Sequence, residues 1–284
     1  MLVLLLASAL ALGGMDFVRW ADRRAPPVQH PQVAQDYRFT GEFFPLLGEM
    51  VRERSGVVEA EMIGLSAGNR AIWAFHVSEP GVPVEETALI FAGIHALEWI
   101  STEVALELLH ELIQVPPRGI RVTVIPLLNP DGRAHVEDDL VNEVNRYRRS
   151  NSNGADINRD FAHNREVKAV WSKVIPAYYD PSPGSLSQPE SQALNEIMRR
   201  EGYSRAASLH AFGGFFYYPW SGLYERPPAE DRLKMVALGR AMEKAQGAFA
   251  YRTRQLGRWG FFFRAHGSEI DHMYGEYGTM SFLV

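Results

Sequence analysis

The chain has 284 residues, 46% of them hydrophobic and 22% charged, with a formal net charge of -5, enough apolar length to bury one large core. The modest charge and scattered basic residues exclude a nucleic-acid surface and a polybasic membrane patch, pointing instead to small molecules or peptides as partners. There is no cysteine, which excludes a disulfide scaffold, a thiol nucleophile and a thiolate metal site, so any metal must sit on histidines and carboxylates.

The first residues, Met1 to Leu12, form an apolar run too short to span a bilayer, and Ala9-Leu10-Ala11 reads as a signal-peptidase site. Residues 1–14 are therefore expected to be a signal peptide, although the run lacks a basic start and a buried N-terminal helix is the alternative. Residues 15–35, with Pro26, Pro27 and Pro31, read as a connection, and 36–284 as one domain. Thr40 is expected to cap a helix carrying Phe43, Leu46, Leu47 and Met50, ended by Gly56. Strand-type segments follow at 61–63 and 71–77, then a buried-looking run, Ala88 to Ala92, closed by Gly93. A helix patterned on Ile100, Val104, Leu108 and Leu112 stops at Pro116-Pro117. The strand from Val122 to Leu128 ends in Asn129-Pro-Asp-Gly132, a sequence biased to a turn. Ser187-Gln-Pro-Glu190 reads as a capping box opening a helix that Gly202 terminates. Strands at 206–209 and 215–219, a long helix at 229–248, and a strand at 279–284 complete the pass. Alternating strands and helices predict an α/β domain, a mixed, mostly parallel twisted sheet with helices on both faces, whose site lies at the carboxyl ends of the strands. The final strand has the character of a core strand, so the chain is expected to continue beyond it.

His95 and Glu98, three residues apart where a loop enters a helix, can face one side of a turn and reach one Zn²⁺. Taken alone the pair is equally a helix-start histidine with a capping glutamate. His210 stands at the carboxyl end of a strand, and two histidines with one glutamate form a catalytic zinc set that leaves a position open, but a lone histidine there also fits a satisfied core residue. Asp156, Asn158 and Arg159 follow the basic stretch of Arg146, Arg148 and Arg149, which a solvated face would also explain.

Four blocks in order, Gly93-Ile-His-Ala-Leu-Glu-Trp-Ile-Ser101, Asn129-Pro-Asp-Gly132, Asp156-Ile-Asn-Arg159 and Ser208-Leu-His210, resemble the zinc metallocarboxypeptidase family of carboxypeptidase A, from about residue 36 to the end. The resemblance implies the carboxypeptidase-like α/β fold and a single zinc held by His95, Glu98 and His210, with Asp156 orienting the first histidine. It gives Arg148 the scissile carbonyl and its oxyanion, with Arg149 as the fallback if the register is off by one. Asn158 and Arg159 would grip the terminal carboxylate of a peptide or protein chain. The family's general base, a glutamate, falls immediately after Val284, so the domain reads as C-terminally incomplete, lacking also the last strand partner and closing helix. Glu269 and Glu276 are nearest in sequence, and neither replaces the base without moving the backbone. Leu97 stands where relatives carry a substrate-contacting arginine. Phe263 stands where they carry a mobile tyrosine, or else is a core residue of the run 261–263. Ile270 matches the floor of the specificity pocket and Ser221 a position where relatives preferring basic ends carry aspartate, so apolar or aromatic C-terminal residues are the expected substrates, unless Glu269 or His272 makes the pocket polar. The expectation is thus a secreted or periplasmic zinc carboxypeptidase, a monomer with no membrane contact beyond a signal peptide. The alternatives are a peptidoglycan-peptide amidase or deglutamylase of the same superfamily, or a non-catalytic zinc- or peptide-binding relative.

Overall fold

The computed structural model describes residues 37–54, 56–166, 182–211, 213–260 and 263–284. The apolar run at 1–12 and the connection at 15–35 lie outside them. Eight strands form one sheet: β1 (Val58–Leu65), β2 (Ala71–Val77), β3 (Glu86–Phe91), β4 (Ile120–Ile125), β5 (Arg205–Ser208), β6 (Phe215–Tyr218), β7 (Arg252–Gln255) and β8 (Met280–Leu283). Their order is β1-β2-β4-β3-β5-β8-β6-β7. The central run β4-β3-β5-β8 is parallel, while β1-β2, β2-β4 and β6-β8 are antiparallel. Parallel neighbours need crossovers; between β3 and β4 the crossover is α2 (Trp99–Gln114).

Side-chain alternation along the strands feeds two cores. On one face, Leu89 and Phe91 of β3 and Ile72 and Ala74 of β2 pack with Leu194, Ile197 and Met198 of α4 (Pro189–Glu201) and with Ile270 and Met273 of α6 (Glu269–Tyr277). On the other, Phe75, Val77, Val122 and Val124 pack with Phe43 and Leu47 of α1 (Thr40–Glu53) and with Ala105, Leu106, Leu109 and Ile113 of α2. Each fully buried Val, Leu, Ile, Phe or Met among them contributes about 1.5–3 kcal/mol. A third cluster joins Phe216 and Phe282 to Met235 of α5 (Ala229–Gln246). The single α/β domain with a mixed sheet and helices on both faces is as expected. No described helix is long and apolar enough to cross a membrane.

Several local expectations are corrected. Thr40 does not cap α1: its backbone N–H and its hydroxyl both donate to Glu137, at 2.8 and 2.6 Å, and Phe39 takes the cap position. In α2 the buried stripe is Thr102, Ala105, Leu106, Leu109 and Ile113, whereas Ile100 and Val104 are exposed; two apolar stripes share the helical period, and the sheet covers only one. Asn129-Pro-Asp-Gly132 is not a free turn but the start of α3 (Pro130–Val141), with Asn129 as its cap and Pro130 in its first turn; Asn and Pro at these positions serve a helix start as well as a turn. At α4 the capping box does not form, because Ser187 donates to Asp160 at 2.6 Å and Glu190 accepts from Ala67 and Asn151. Neither β7 nor α6 stands out in the sequence pattern. The segment 280–283 is an interior strand between β5 and β6.

Candidate metal centre

Three adjacent parallel strands end together: Phe91 of β3 pairs with Ser208 of β5, and Ser208 with Leu283 of β8. Beyond those ends the chain keeps zipping, with Leu209 N–H donating to Phe91 O at 2.8 Å and His210 N–H to Val284 O at 2.7 Å. This holds His210 at the carboxyl edge of the sheet. His95 reaches the same edge by a loop that begins at Gly93, whose φ of +64° suits glycine and where a Cβ would meet Leu127 at 2.7 Å. The pair His95 and Glu98 does not sit on a helical turn: both lie in the loop, and Glu98 is the residue capping α2, its backbone carbonyl accepting from Ser101 Oγ at 2.6 Å.

The side chains converge. Glu98 Oε1 is 2.8 Å from His95 Nδ1, Glu98 Oε2 is 2.9 Å from His210 Nδ1, and the two Nδ1 atoms are 3.1 Å apart. Among the described residues, His95, Glu98 and His210 form the metal-type cluster of the chain, with ligand atoms all within 4.8 Å of one another. Glu98 is held further by Ala211 N–H at 3.1 Å and Arg149 Nη1 at 3.4 Å. Burial opposes its charge, yet His95 and His210 outweigh this and hold the carboxyl well below its usual range. Burial likewise opposes protonation of His210, but its bonds to Glu269 and Glu98 push it up to about 9.

A shell of charge surrounds the cluster. Asp156 faces His95 Nε2 at 3.3 Å, accepts from Arg149 Nε at 2.8 Å and, through its other oxygen, caps the short turn Ile157–Arg159 by accepting from Asn158 N–H at 2.9 Å. Burial works against its ionisation, and Arg149 and His95 overcome that, keeping it well below the carboxylate norm. On that turn Asn158 and Arg159 are buried, with Arg159 Nη1 donating to Asn158 O at 2.6 Å.

The sequence model of the zinc carboxypeptidase family matches residues 45–284. The chain belongs to that family. It is 22% identical over 264 residues to carboxypeptidase O of Bos taurus, covering 86% of this chain and 65% of that protein. It is 25% identical over 267 residues to metallocarboxypeptidase A of Trichophyton tonsurans, covering 87% and 62%. Carboxypeptidase A from Helicoverpa armigera shares the fold, with a TM-score of 0.72 and 21% identity over 87% of this chain and 64% of that one. This chain thus spans less than two thirds of the length of these relatives.

The donor set of this family member suits the family's metal. Two imidazole nitrogens and a carboxylate lie about 3 Å apart, close to the edge of a tetrahedron with bonds of about 2.0–2.1 Å. Three carboxylates, Glu98, Asp156 and Glu269, face two guanidiniums, Arg149 and Arg159, and the third positive charge, carried by His210, is one that a bound cation would replace.

Other expected residues fall in different places. Arg148 forks onto Asp139, with Nε at 2.6 Å and Nη2 at 3.0 Å, away from the cluster; it is Arg149, one residue on, that meets Asp156 and Glu98. An alternating loop sends neighbouring side chains opposite ways, so a slip of one residue moves a guanidinium out of the centre. Phe263 is half-buried and packs edge-on against Trp259 at 5.3 Å. Ile270 is wholly buried in the main core, and Ser221 is buried with its hydroxyl donating to Ala265 O at 2.9 Å.

Two contributors escape the sequence reading. Asn129 Nδ2 donates to Ile94 O at 3.2 Å and Ser150 O at 3.3 Å, stitching the His95 loop to the Arg149 loop while its Oδ1 caps α3. Gly132 makes room for that, since a Cβ there would lie 2.7 Å from both Ala96 Cβ and Ser150 O. The motif is visible in the sequence, but only the fold reveals what it joins. Glu269 is fully buried, with Oε1 at 3.0 Å from His210 Nε2, and sequence proximity alone gives it no role.

Proposed function

We propose that the chain is a zinc-dependent exopeptidase that hydrolyses the C-terminal peptide bond of peptides and proteins. The observation carrying this reading is the His95, Glu98 and His210 cluster with Arg149 and Arg159 beside it. One zinc bound there would supply Lewis-acid polarisation of a water and of the scissile carbonyl. Arg149, tied to Asp156 and within 3.4 Å of Glu98, donates to the oxygen that gains charge during attack. Arg159 and Asn158, pinned on one short turn, bind the free terminal carboxylate, and a planar guanidinium fork suits that group. Asp156 holds His95 with Nδ1 turned to the cluster.

The family resemblance implies a glutamate as the proton acceptor. The carbonyl of Val284 bonds the backbone of His210, which sets the end of β8 beside the cluster. Glu269 is not offered as that base, because it bonds Nε2, the nitrogen of His210 opposite the one facing the other ligands. The acids in the first turn of α6 are engaged by protein groups, Glu269 by His210 and Asp271 by Ser221, Gly222 and Asn164. An apolar or aromatic terminal side chain therefore fits this site better than a basic one. Export is the accompanying reading, from the apolar run at 1–12 with its small-residue site Ala9-Leu10-Ala11.

The test uses the protein loaded with zinc against peptides ending in phenylalanine or lysine and a muramyl-type peptide. Release of phenylalanine that stops on chelation and returns with zinc is the expected result. Cleavage of the muramyl peptide alone would transfer the protein to the amidase branch. Zinc binding without hydrolysis would make it a binding relative, and a chain that binds no zinc would overturn the reading.

A further inference from the structure

The two histidines of the cluster are presented in the same way. Each turns Nδ1 inward, toward the other and toward Glu98, and Nε2 outward. For His95 the outward nitrogen faces Asp156 at 3.3 Å. For His210 the outward nitrogen has two acceptors, Glu269 Oε1 at 3.0 Å and Ser208 Oγ at 2.9 Å.

Glu269 is built into this position. Ser268, the residue capping α6, accepts from Asp271 N–H, and the backbone N–H of Glu269 donates to Asn158 Oδ1 at 3.1 Å. Gly267, with φ of +66°, lets that backbone pass Arg159 closely, since a Cβ would lie 2.7 Å from Arg159 O. The same segment is tied down by Phe161 N–H donating to Gly267 O at 3.0 Å. The carboxylate that results is completely buried, and its second oxygen has no hydrogen-bond partner. A buried carboxylate is costly unless it is paired, and the group that Glu269 meets is an imidazole whose other nitrogen points into the metal cluster.

We propose that Glu269 is the positioning residue of His210, fixing the Nε2–H tautomer and ring orientation so that Nδ1 is offered to the metal, and giving this centre two carboxylate–histidine pairs, Asp156 with His95 and Glu269 with His210. The proposal rests on the zinc reading above and extends it to a residue that takes no part in proton transfer to substrate. A ligating imidazole that gives its remaining N–H to a carboxylate is oriented and made more basic, and losing such a partner typically costs ten- to a hundredfold in metal affinity.

The experiment measures zinc dissociation constants by competition with a chromophoric chelator for the full chain and for Glu269→Gln, Glu269→Ala and His272→Gln, with the visible spectrum of the cobalt-substituted proteins as a second readout. Glu269→Ala should weaken zinc binding by about ten- to a hundredfold and alter the cobalt spectrum. Glu269→Gln, which keeps an acceptor of the same size, should recover part of that affinity, and His272→Gln, in the same helix turn, should leave it unchanged. A merely structural glutamate would lower thermal stability in Glu269→Ala while leaving affinity and spectrum as in the parent, and that result would overturn the proposal. If Glu269→Ala does not fold, Glu269→Gln decides: parental affinity together with an unchanged cobalt spectrum refutes it. If the parent chain itself binds neither metal, the zinc reading fails first, so the two failures are told apart.

Discussion

Replacing Gly93 by alanine tests whether the loop that delivers His95 is as tightly seated as the geometry states. Two costs add. The backbone at +64° is left-handed, which costs an L-residue about 1–2 kcal/mol. The new Cβ would lie 2.7 Å from Leu127 Cδ1, 3.0 Å from Thr102 Oγ1 and 3.3 Å from the Leu127 backbone, an overpacking of about 1–3 kcal/mol because one of the neighbours is main chain. The total is about 2–5 kcal/mol, and for a domain of this size each kcal/mol lowers Tm by roughly 2–4 °C. Gly81→Ala is the matched control: its φ is +75°, but nothing lies within 4 Å of the added Cβ, so only the backbone cost of about 1–2 kcal/mol remains. Urea unfolding of the two variants at pH 7 separates the terms. Because the strain falls two residues before His95, zinc affinity should drop in Gly93→Ala and hold in Gly81→Ala. If Gly93→Ala loses no more stability than Gly81→Ala, the close approach of the Leu127 segment to this loop is refuted, and with it the reason given for glycine there.

Burial pushes His272 down to about 4 from an ordinary 6.5, with Nε2 bonded to Asn195 at 2.8 Å and Nδ1 without a partner. The unfolded chain therefore takes up a proton that the folded chain refuses; the stability involved is fully present above pH 6.5 and is lost as pH falls toward 4, about 3 kcal/mol in all. Unfolding curves at pH 7, 5.5 and 4 should show His272→Gln lacking that part of the acid slope, and an identical slope in both proteins would contradict it. In the zinc-loaded protein, Arg149→Ala should reduce kcat by about 10²–10³-fold, whereas Arg148→Ala, which breaks only a partly exposed pair with Asp139, should stay within about threefold; steady-state kinetics giving the reverse order would assign the oxyanion to Arg148 instead.

How much was legible in the sequence follows from range. Local signals announce β2, β3, α4 and α5, whether a strand-type segment, an apolar run closed by Gly93, a helix bracketed by Pro189 and Gly202, or a helical spacing, because each is decided by its own residues. The face of α2 was misread because Ile100 and Val104 keep the same period as Ala105 and Leu109, and the choice between them is made by strands β2 and β4 packing on one side. β7 is too short and too polar, as Arg252-Thr-Arg-Gln255, to announce itself; its pairing with β6 makes it a strand. The expected metal ligands stand together because their positions follow directly from strand ends, which the sequence marks with Gly93 and with the strand preceding His210.

The rest of the centre depends on contacts between segments far apart in the chain, and these no local pattern encodes. Asn129 illustrates the point: as a cap it needs only Gly132, but its amide also bonds the carbonyls of Ile94 and Ser150, 35 and 21 residues away. One side chain thereby couples the start of α3 to the loops bearing His95 and Arg149. The distinction between Arg148 and Arg149 is of the same kind. Both are arginines in one basic stretch, and what selects the second is that Ala96 N–H bonds Arg149 O at 3.3 Å, setting that residue against the His95 loop with its guanidinium toward Asp156, while Arg148 is drawn off by Asp139 on α3. The chemistry proposed for this site therefore rests on a register fixed by backbone bonds between loops, one residue of which separates a group at the cluster from a surface ion pair.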